Sequence, residues 1–228
     1  MKELNQTREK IKLLFEAGRA AKTREEFLEK INPALKMAQS IKDYSLQVEI
    51  QTSLACSEIL DGNWQQFRSN ASVVMNLLKD LEDPVLEVAV LYSFGESIGK
   101  VGDFANSNIW YEKALVIARK SNQFKPIADL LAMLGIQTSQ IPTETRLERL
   151  HNFGESLDYF REGLEVVIEH NLPLRIKAMM IQNSGMIHMN MGNKDLALND
   201  YNLALEIAEE IEDNSLKQEI VYNLRLIT

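Results

Sequence analysis

His151, His170 and His188, the single cysteine Cys56, and an acidic run of Glu206, Glu209, Glu210, Glu212 and Asp213 are the residues whose chemistry could amount to a reactive site. A metal centre needs His, Cys or carboxylate ligands at short, regular spacings. The three histidines are far apart, and none has a His or Cys partner at such a spacing. Cys56 has no base near it in sequence, so a small packed residue is its ordinary reading. Gly99 and Gly102 do not make a dinucleotide fingerprint, because no strand pattern precedes them. Asp61–Trp64 and Gly192–Asp195 read as turns, since the alternating oxygen ligands and closing glutamate of a calcium loop are missing. The acidic run reads as a solvated helix face, with a docking patch for a basic partner as the alternative. The expectation is therefore a protein that is no enzyme, with no catalytic residue, no metal and no cofactor.

The charge balance narrows the partners. Acidic residues outnumber basic ones 33 to 25 over 228 residues, a formal net charge of -8. Binding to phosphates draws its affinity from a basic surface that releases counterions, so nucleic acid is not expected as a partner. An anionic membrane surface is disfavoured for the same reason. No apolar stretch approaches the roughly 18 residues that a membrane span requires. The start, MKELNQTREKIK, lacks the apolar core of a secretory signal. One cysteine allows no internal disulfide, which fits a reducing compartment. The expected location is the cytoplasm.

Helices must carry whatever this chain does. Only five prolines and ten glycines punctuate it, and no apolar alternation of the strand type occurs. Leu86, Ala89, Val90, Phe94 and Ile98 recur in steps of three and four, which gathers them on one helix face. After a break at Gly102 the apolar set Ile109, Tyr111, Ala114, Leu115 and Ala118 predicts a second helix.

The chain also repeats itself. LYSFGESIGKVGDFANSNIWYEKAL from Leu91 aligns with IQNSGMIHMNMGNKDLALNDYNLAL from Ile181. Gly95 falls on Gly185, Gly102 on Gly192, Tyr111 on Tyr201, and Ala114-Leu115 on Ala204-Leu205. A third copy runs through Leu54, Ala55, Gly62, Trp64, Ala71 and Val74. A fourth holds Leu131, Leu134 and Gly135 and resumes at Phe153, Ser156, Phe160 and Gly163. A weak first copy holds Leu14, Phe27, Ile31 and Ala34. The small residue late in each second helix (Ala34, Val74, Ala114, Gly163, Ala204) recurs after 40, 40, 49 and 41 residues.

This pattern resembles the tetratricopeptide repeat, with a period near 40 that is similar to the family's long-helix branch. The resemblance implies an all-α, right-handed α-α superhelix of about five helix-turn-helix repeats plus a C-terminal helix. It is expected to form a single solenoid domain over 1–228, with repeats near 5–42, 43–82, 83–122, 123–171 and 172–213 and a terminal helix at 214–228. Gly95, Gly135 and Gly185, with Ala55, are placed where paired helices cross closely. Gly102 and Gly192 are placed in left-handed turns. Pro84, Pro126 and Pro173 are expected to open first helices, with Asp83 as an N-cap, whereas Pro33 should kink or break the helix it sits in. Gln140–Asn152 reads as an insertion, with a helix that could begin early after Thr145.

The same resemblance implies a function. Peptide-binding members of the family hold an extended chain on the concave wall of first helices, often through an asparagine two residues before the conserved glycine. That position reads Ser53, Ser93, Met133, Asn183 and Asn223. Asn183 matches it, and Gln182, Met186, Asn190 and Met179 are expected on the same face, with Met189 nearby. Tyr92 and Glu96 occupy neighbouring positions beside Ser93 and Gly95. These are the expected partner-binding residues. The expected role is an interaction scaffold that takes a peptide or helix, with a second copy of the chain among the admissible partners. The alternative is the sensory or regulatory portion of a larger signalling or transcription-regulating protein.

Overall fold

The computed structural model describes residues 2–227 and, among them, eleven helices and no strand. In order they are α1 (Lys2–Arg19), α2 (Arg24–Ser40), α3 (Tyr44–Leu60), α4 (Trp64–Leu81), α5 (Pro84–Lys100), α6 (Phe104–Lys120), α7 (Phe124–Gln140), α8 (Arg146–Glu169), α9 (Leu174–Met191), α10 (Lys194–Glu210) and α11 (Asn214–Arg225). Consecutive helices pack as adjacent pairs, a helical-repeat architecture of the tetratricopeptide kind. The chain divides into two compact units, Met1–Val101 with α1–α5 and Gly102–Thr228 with α6–α11.

Each helix starts and stops for local reasons. Asp83 accepts hydrogen bonds from the Val85 and Leu86 amides, and Pro84 takes the first helical position, where its missing N–H costs nothing. Asp43, Asp103 and Asp213 cap α3, α6 and α11 in the same way. Pro126 falls in the first turn of α7, while Pro173 stands just outside α9 as its N-cap residue. Thr145 and Glu148 form a reciprocal capping box, so α8 does begin early and extends to 24 residues. The insertion is thus absorbed mainly as extra helix.

Turns show a regularity that the glycines only half reveal. Gly62, Gly102 and Gly192 end first helices with φ of 76°, 83° and 86°. Second helices are followed instead by Lys42, Glu82, Asn122, Asn171 and Glu212, all left-handed with φ between 48° and 56°. A side chain in that region costs about 1 kcal/mol. In return, closing hydrogen bonds such as Asp43 N to Ala38 O and Asp213 N to Ala208 O, both 3.0 Å, satisfy carbonyls left open at the helix end. These five residues are spaced 40, 40, 49 and 41 apart, the same intervals as the buried small residues.

Two expectations need correction. Helix α2 runs unbroken through Pro33. Pro33 is exposed, so the carbonyl that loses its partner there lies on the solvent side of the helix. Ile109 does not join the packed face of α6: it is 47% exposed. The inward stripe is Ser107, Tyr111, Ala114 and Ala118, in steps of four, three and four, and Ile109 lies on the opposite side of the helix.

Packing within each unit is layered. In the first unit, Ile11 and Phe15 of α1 pack with Ile31, Ala34 and Ala38 of α2 and Leu46, Ile50 and Leu54 of α3. An edge-to-face chain from Trp64 to Phe67 to Phe94, with centroids 6.2 and 5.4 Å apart, joins α4 to α5. In the second unit, Ala128, Phe153, Phe160, Val167, Met180 and Ile187 form one cluster, and Ala178, Ile181, Tyr201, Ala204 and Ile220 belong to another. Arg8 reaches the capping residue Asp43 at 2.7 Å, and Arg175 reaches the capping residue Asp213 at 2.9 Å. Each pair ties a first helix to the start of the next one in its unit.

Glycine sets how closely paired helices approach. A Cβ on Gly135 would lie 2.5–2.8 Å from ring atoms of Phe160, and one on Gly185 would lie 3.0 Å from the ring of Tyr201. Phe160 is 1% exposed and has nowhere to move. Gly154, also within a helix, has open space around it. Gly135→Ala should therefore lose about 1–3 kcal/mol by overpacking, and Gly154→Ala should gain roughly 0.5–1 kcal/mol by helix propensity. Urea melts of the two variants test this, and shifts of the same sign would contradict the packing.

Candidate functional site

Two recesses open beside first helices, one in each unit. In the first unit α1, α3 and α5 enclose a pocket of about 280 Å³. Its apolar lining is Phe15 from α1 and Leu86, Ala89 and Val90 from α5. Small polar side chains make up much of the rest: Thr52, Ser53 and Cys56 on α3, and Ser93 and Ser97 on α5. Steps of three and four along both helices set these short side chains facing one space. Arg19, Glu49 and Glu96 stand around the opening.

The hydrogen bonds give the pocket a polarity. Thr52 Oγ1 donates to Val48 O at 2.7 Å, and Ser93 Oγ donates to Ala89 O at 2.8 Å. The Cys56 thiol donates to Ser93 O at 3.5 Å. The Thr52 and Ser93 protons are thus committed to helix carbonyls, and their oxygens keep lone pairs. Glu96 holds Lys100 at 3.1 Å, an exposed pair one turn apart. Arg19 lies over the Phe15 ring, 5.9 Å from its centroid. Crowding around the Glu49 carboxyl raises its pKa, opposed by the charges of Lys12 and Arg19 and reinforced by Asp43.

In the second unit, Gln182 of α9 and Gln218, Glu219, Tyr222 and Asn223 of α11 line a shallow recess of about 410 Å³. Asn183 is half-buried and gives one amide proton to Met179 O, its own helix, at 2.8 Å. Met179 is half-buried against the α9–α11 core, with Arg175 Nη1 at 3.1 Å from its sulfur. Met189 also packs on that core. Met186 is 39% exposed, and Asn190 is exposed near the end of α9. Tyr92 and Glu96 belong to the first unit, where Glu96 lines the pocket and Tyr92 is half-buried on the same helix.

Several of the remaining candidate groups have structural partners. His188 Nδ1 is 2.7 Å from Asp200, linking α9 to α10. His170 stacks on Phe124. Asp213 is held below the usual carboxylate range by the Leu216 amide and by Arg175, and Glu209 pairs with Lys217 at 2.6 Å. Among the described residues no group of three His, Cys, Asp or Glu could hold a metal ion, and no helix is long and apolar enough to cross a membrane.

Sequence reasoning missed Phe15, Arg19, Glu49, Thr52 and Cys56 as neighbours. The weak first repeat was aligned on Leu14, which hid Phe15 and Arg19. The usable signal was the run of small residues Ser53, Cys56, Ala89, Ser93 and Ser97, which leaves space between two first helices.

The fold has counterparts among solved structures. Over 92% of its length, the chain matches a Signal Transduction ATPase with Numerous Domains (STAND) protein with a tetratricopeptide repeat sensor from Pyrococcus horikoshii, with a TM-score of 0.69 and 13% identity. The match spans 31% of that protein. BtubC (BKLC) from P. vanneervenii matches over 97% of this chain and 90% of its own, with a TM-score of 0.61 and 15% identity. No family model matches the chain. No curated protein matches it.

Burial raises the pKa of the Cys56 thiol, with smaller effects from Ser97, Glu96 and Lys100. Only the thiolate is a good nucleophile. Iodoacetamide should therefore alkylate Cys56 more slowly than a free thiol, with its rate rising only above the ordinary thiol range, and urea should restore normal reactivity. A fast rate near pH 7 in the folded protein would contradict this environment.

Proposed function

We propose that the chain is a member of the tetratricopeptide repeat family, of its long-period branch, and works as a protein-interaction module. It receives a peptide or helix on the face of its first helices and carries no reaction of its own. One observation supports this reading above others. The position two residues before the small crossing residue lies beside an open recess in the first unit, as Ser53 before Ala55 and Ser93 before Gly95, and Asn223, its counterpart in an incomplete last copy, lines the recess of the second unit. Amides and short hydroxyls at such positions can pair with peptide groups without demanding a particular sequence. Asn183, Gln182 and Asn190 would bind backbone, with Met179 and Met186 touching apolar side chains. Tyr92 and Glu96 serve the same face in the first unit. A cytoplasmic protein partner, or a second copy of the chain, fits this surface.

A second reading is favoured by the resemblance to a tetratricopeptide repeat sensor within a multidomain protein that is much longer than the matched region. In it, the chain is the sensory portion of a larger signalling protein, and occupation of the groove is what is sensed.

Affinity capture with the whole chain, followed by calorimetry with the recovered partner, tests the surface. Ser93→Trp, which fills the first-unit pocket, or Asn183→Ala should weaken binding, the latter by roughly 1 kcal/mol. Glu210→Ala should not. Loss of binding on Glu210→Ala, with Ser93→Trp and Asn183→Ala unaffected, would move the interaction away from the first helices.

A further inference from the structure

The α1–α3–α5 pocket is polarised in a way that the groove reading alone does not require. At about 280 Å³ it sits just below the range of about 300–1,000 Å³ usual for small-molecule and cofactor sites. That is room for one side chain of a larger partner rather than for a free cofactor. Its chemistry is rich in acceptors. Thr52 and Ser93 have already donated their hydroxyl protons to α3 and α5, so toward a ligand they offer lone pairs. Two carboxylates, Glu49 and Glu96, stand at the opening against one cation, Arg19. Glu96 is engaged by Lys100, and Arg19 is drawn over the Phe15 ring. Glu49 has no ion-pair partner within bonding distance among the described residues, although Lys12 and Arg19 act on it at longer range.

We propose that this pocket is an anchor for a lysine or arginine side chain of a linear peptide, whose cationic head meets Glu49 and whose aliphatic stem lies along Phe15, Leu86 and Ala89. Ammonium and guanidinium groups bring only donors, which suits an acceptor-rich pocket. Their carbon stems cover apolar surface while the charge remains near water. The proposal rests on the reading of the first-helix face as a partner surface and names the chemistry recognised there. The opposite arrangement, a partner carboxylate seated on Arg19, is the natural competitor. It is disfavoured because Arg19 would have to accept an anion in a pocket that two carboxylates also line, one of them Glu49, on which Arg19 already acts.

A library of random linear peptides displayed on phage, selected against the whole chain, is the test. Enriched peptides should share a lysine or arginine beside an apolar residue. Glu49→Gln, checked for folding by circular dichroism, should weaken them about fivefold, the scale of one partly exposed ion pair. Arg19→Gln, which removes the competing cation, should tighten them. Because Cys56 lies in the pocket and is the only cysteine, bound peptide should also slow its modification by methyl methanethiosulfonate, read by mass spectrometry. Enriched peptides that share an acidic residue or a free carboxylate, and are lost on Arg19→Gln, would overturn the anchor while leaving peptide binding intact. Basic peptides indifferent to Glu49→Gln that leave Cys56 unprotected would overturn it too. No enrichment at all would overturn both the anchor and the interaction module.

Discussion

The closeness of paired helices is the constraint on which the rest of this structure depends. At Gly135 and Gly185 the backbone of a first helix presses on an aromatic ring of the following helix; at Gly135 there is no room for another carbon, and at Gly185 the Tyr201 ring would have to yield to one. Gly163 does the same in the opposite direction, where the Met180 side chain of α9 fills the place of a Cβ on α8. Contacts this close fix the rotation of each helix about its axis, because only one face carries the small residue. Once rotation is fixed, the opposite face of the first helix is fixed as well. In the first unit the small residues Ala55 of α3 and Gly95 of α5 are likewise buried, and short side chains of the same two helices border an opening.

Backbone geometry reinforces the same register. Each second helix is closed by a left-handed residue, and nature has used Lys, Glu or Asn there rather than Gly. At Lys42, Glu82 and Glu212 the turn is tied down on both sides, by hydrogen bonds to the helix just ended and by a capping aspartate at the helix about to start. Asp43 and Asp213 show the economy of this arrangement. One carboxylate oxygen caps the new helix, and the other holds an arginine from the preceding first helix. Local bonds of this sort make each repeat lean on its neighbour, as expected of a chain built from stacked units.

Much of this was legible in the sequence, and the reasons are specific. Ala34, Val74, Ala114, Gly163 and Ala204 are small because they are packed, so their spacing was a reliable ruler, and all five are buried. Gly102 and Gly192 announced left-handed turns because few other residues enter that region cheaply. The turns at Lys42 and Glu82 gave no such signal, since those residue types are at home on any helix surface. Pro33 misled because α2 continues through it, with the lost hydrogen bond on the solvent side of the helix where water can replace it. Ile109 misled because hydrophobicity was read without its angle: two residues from Tyr111 is the far side of a helix.

The candidate site was less legible, for a physical reason. A pocket is space left between side chains of different helices, and no single stretch of sequence encodes it. Asn183 could be picked out by its match to a repeat position, yet its amide gives one proton to its own helix. Ser53 and Ser93 hold the same repeat position beside a deeper opening. A crystal structure of the chain bound to a selected peptide tests the central claim most directly, that close helix crossings orient the first helices to receive a partner. The account predicts peptide density in contact with Ser53 and Ser93. Density seated instead on the outer faces of second helices, with the α1–α3–α5 pocket empty, would contradict it.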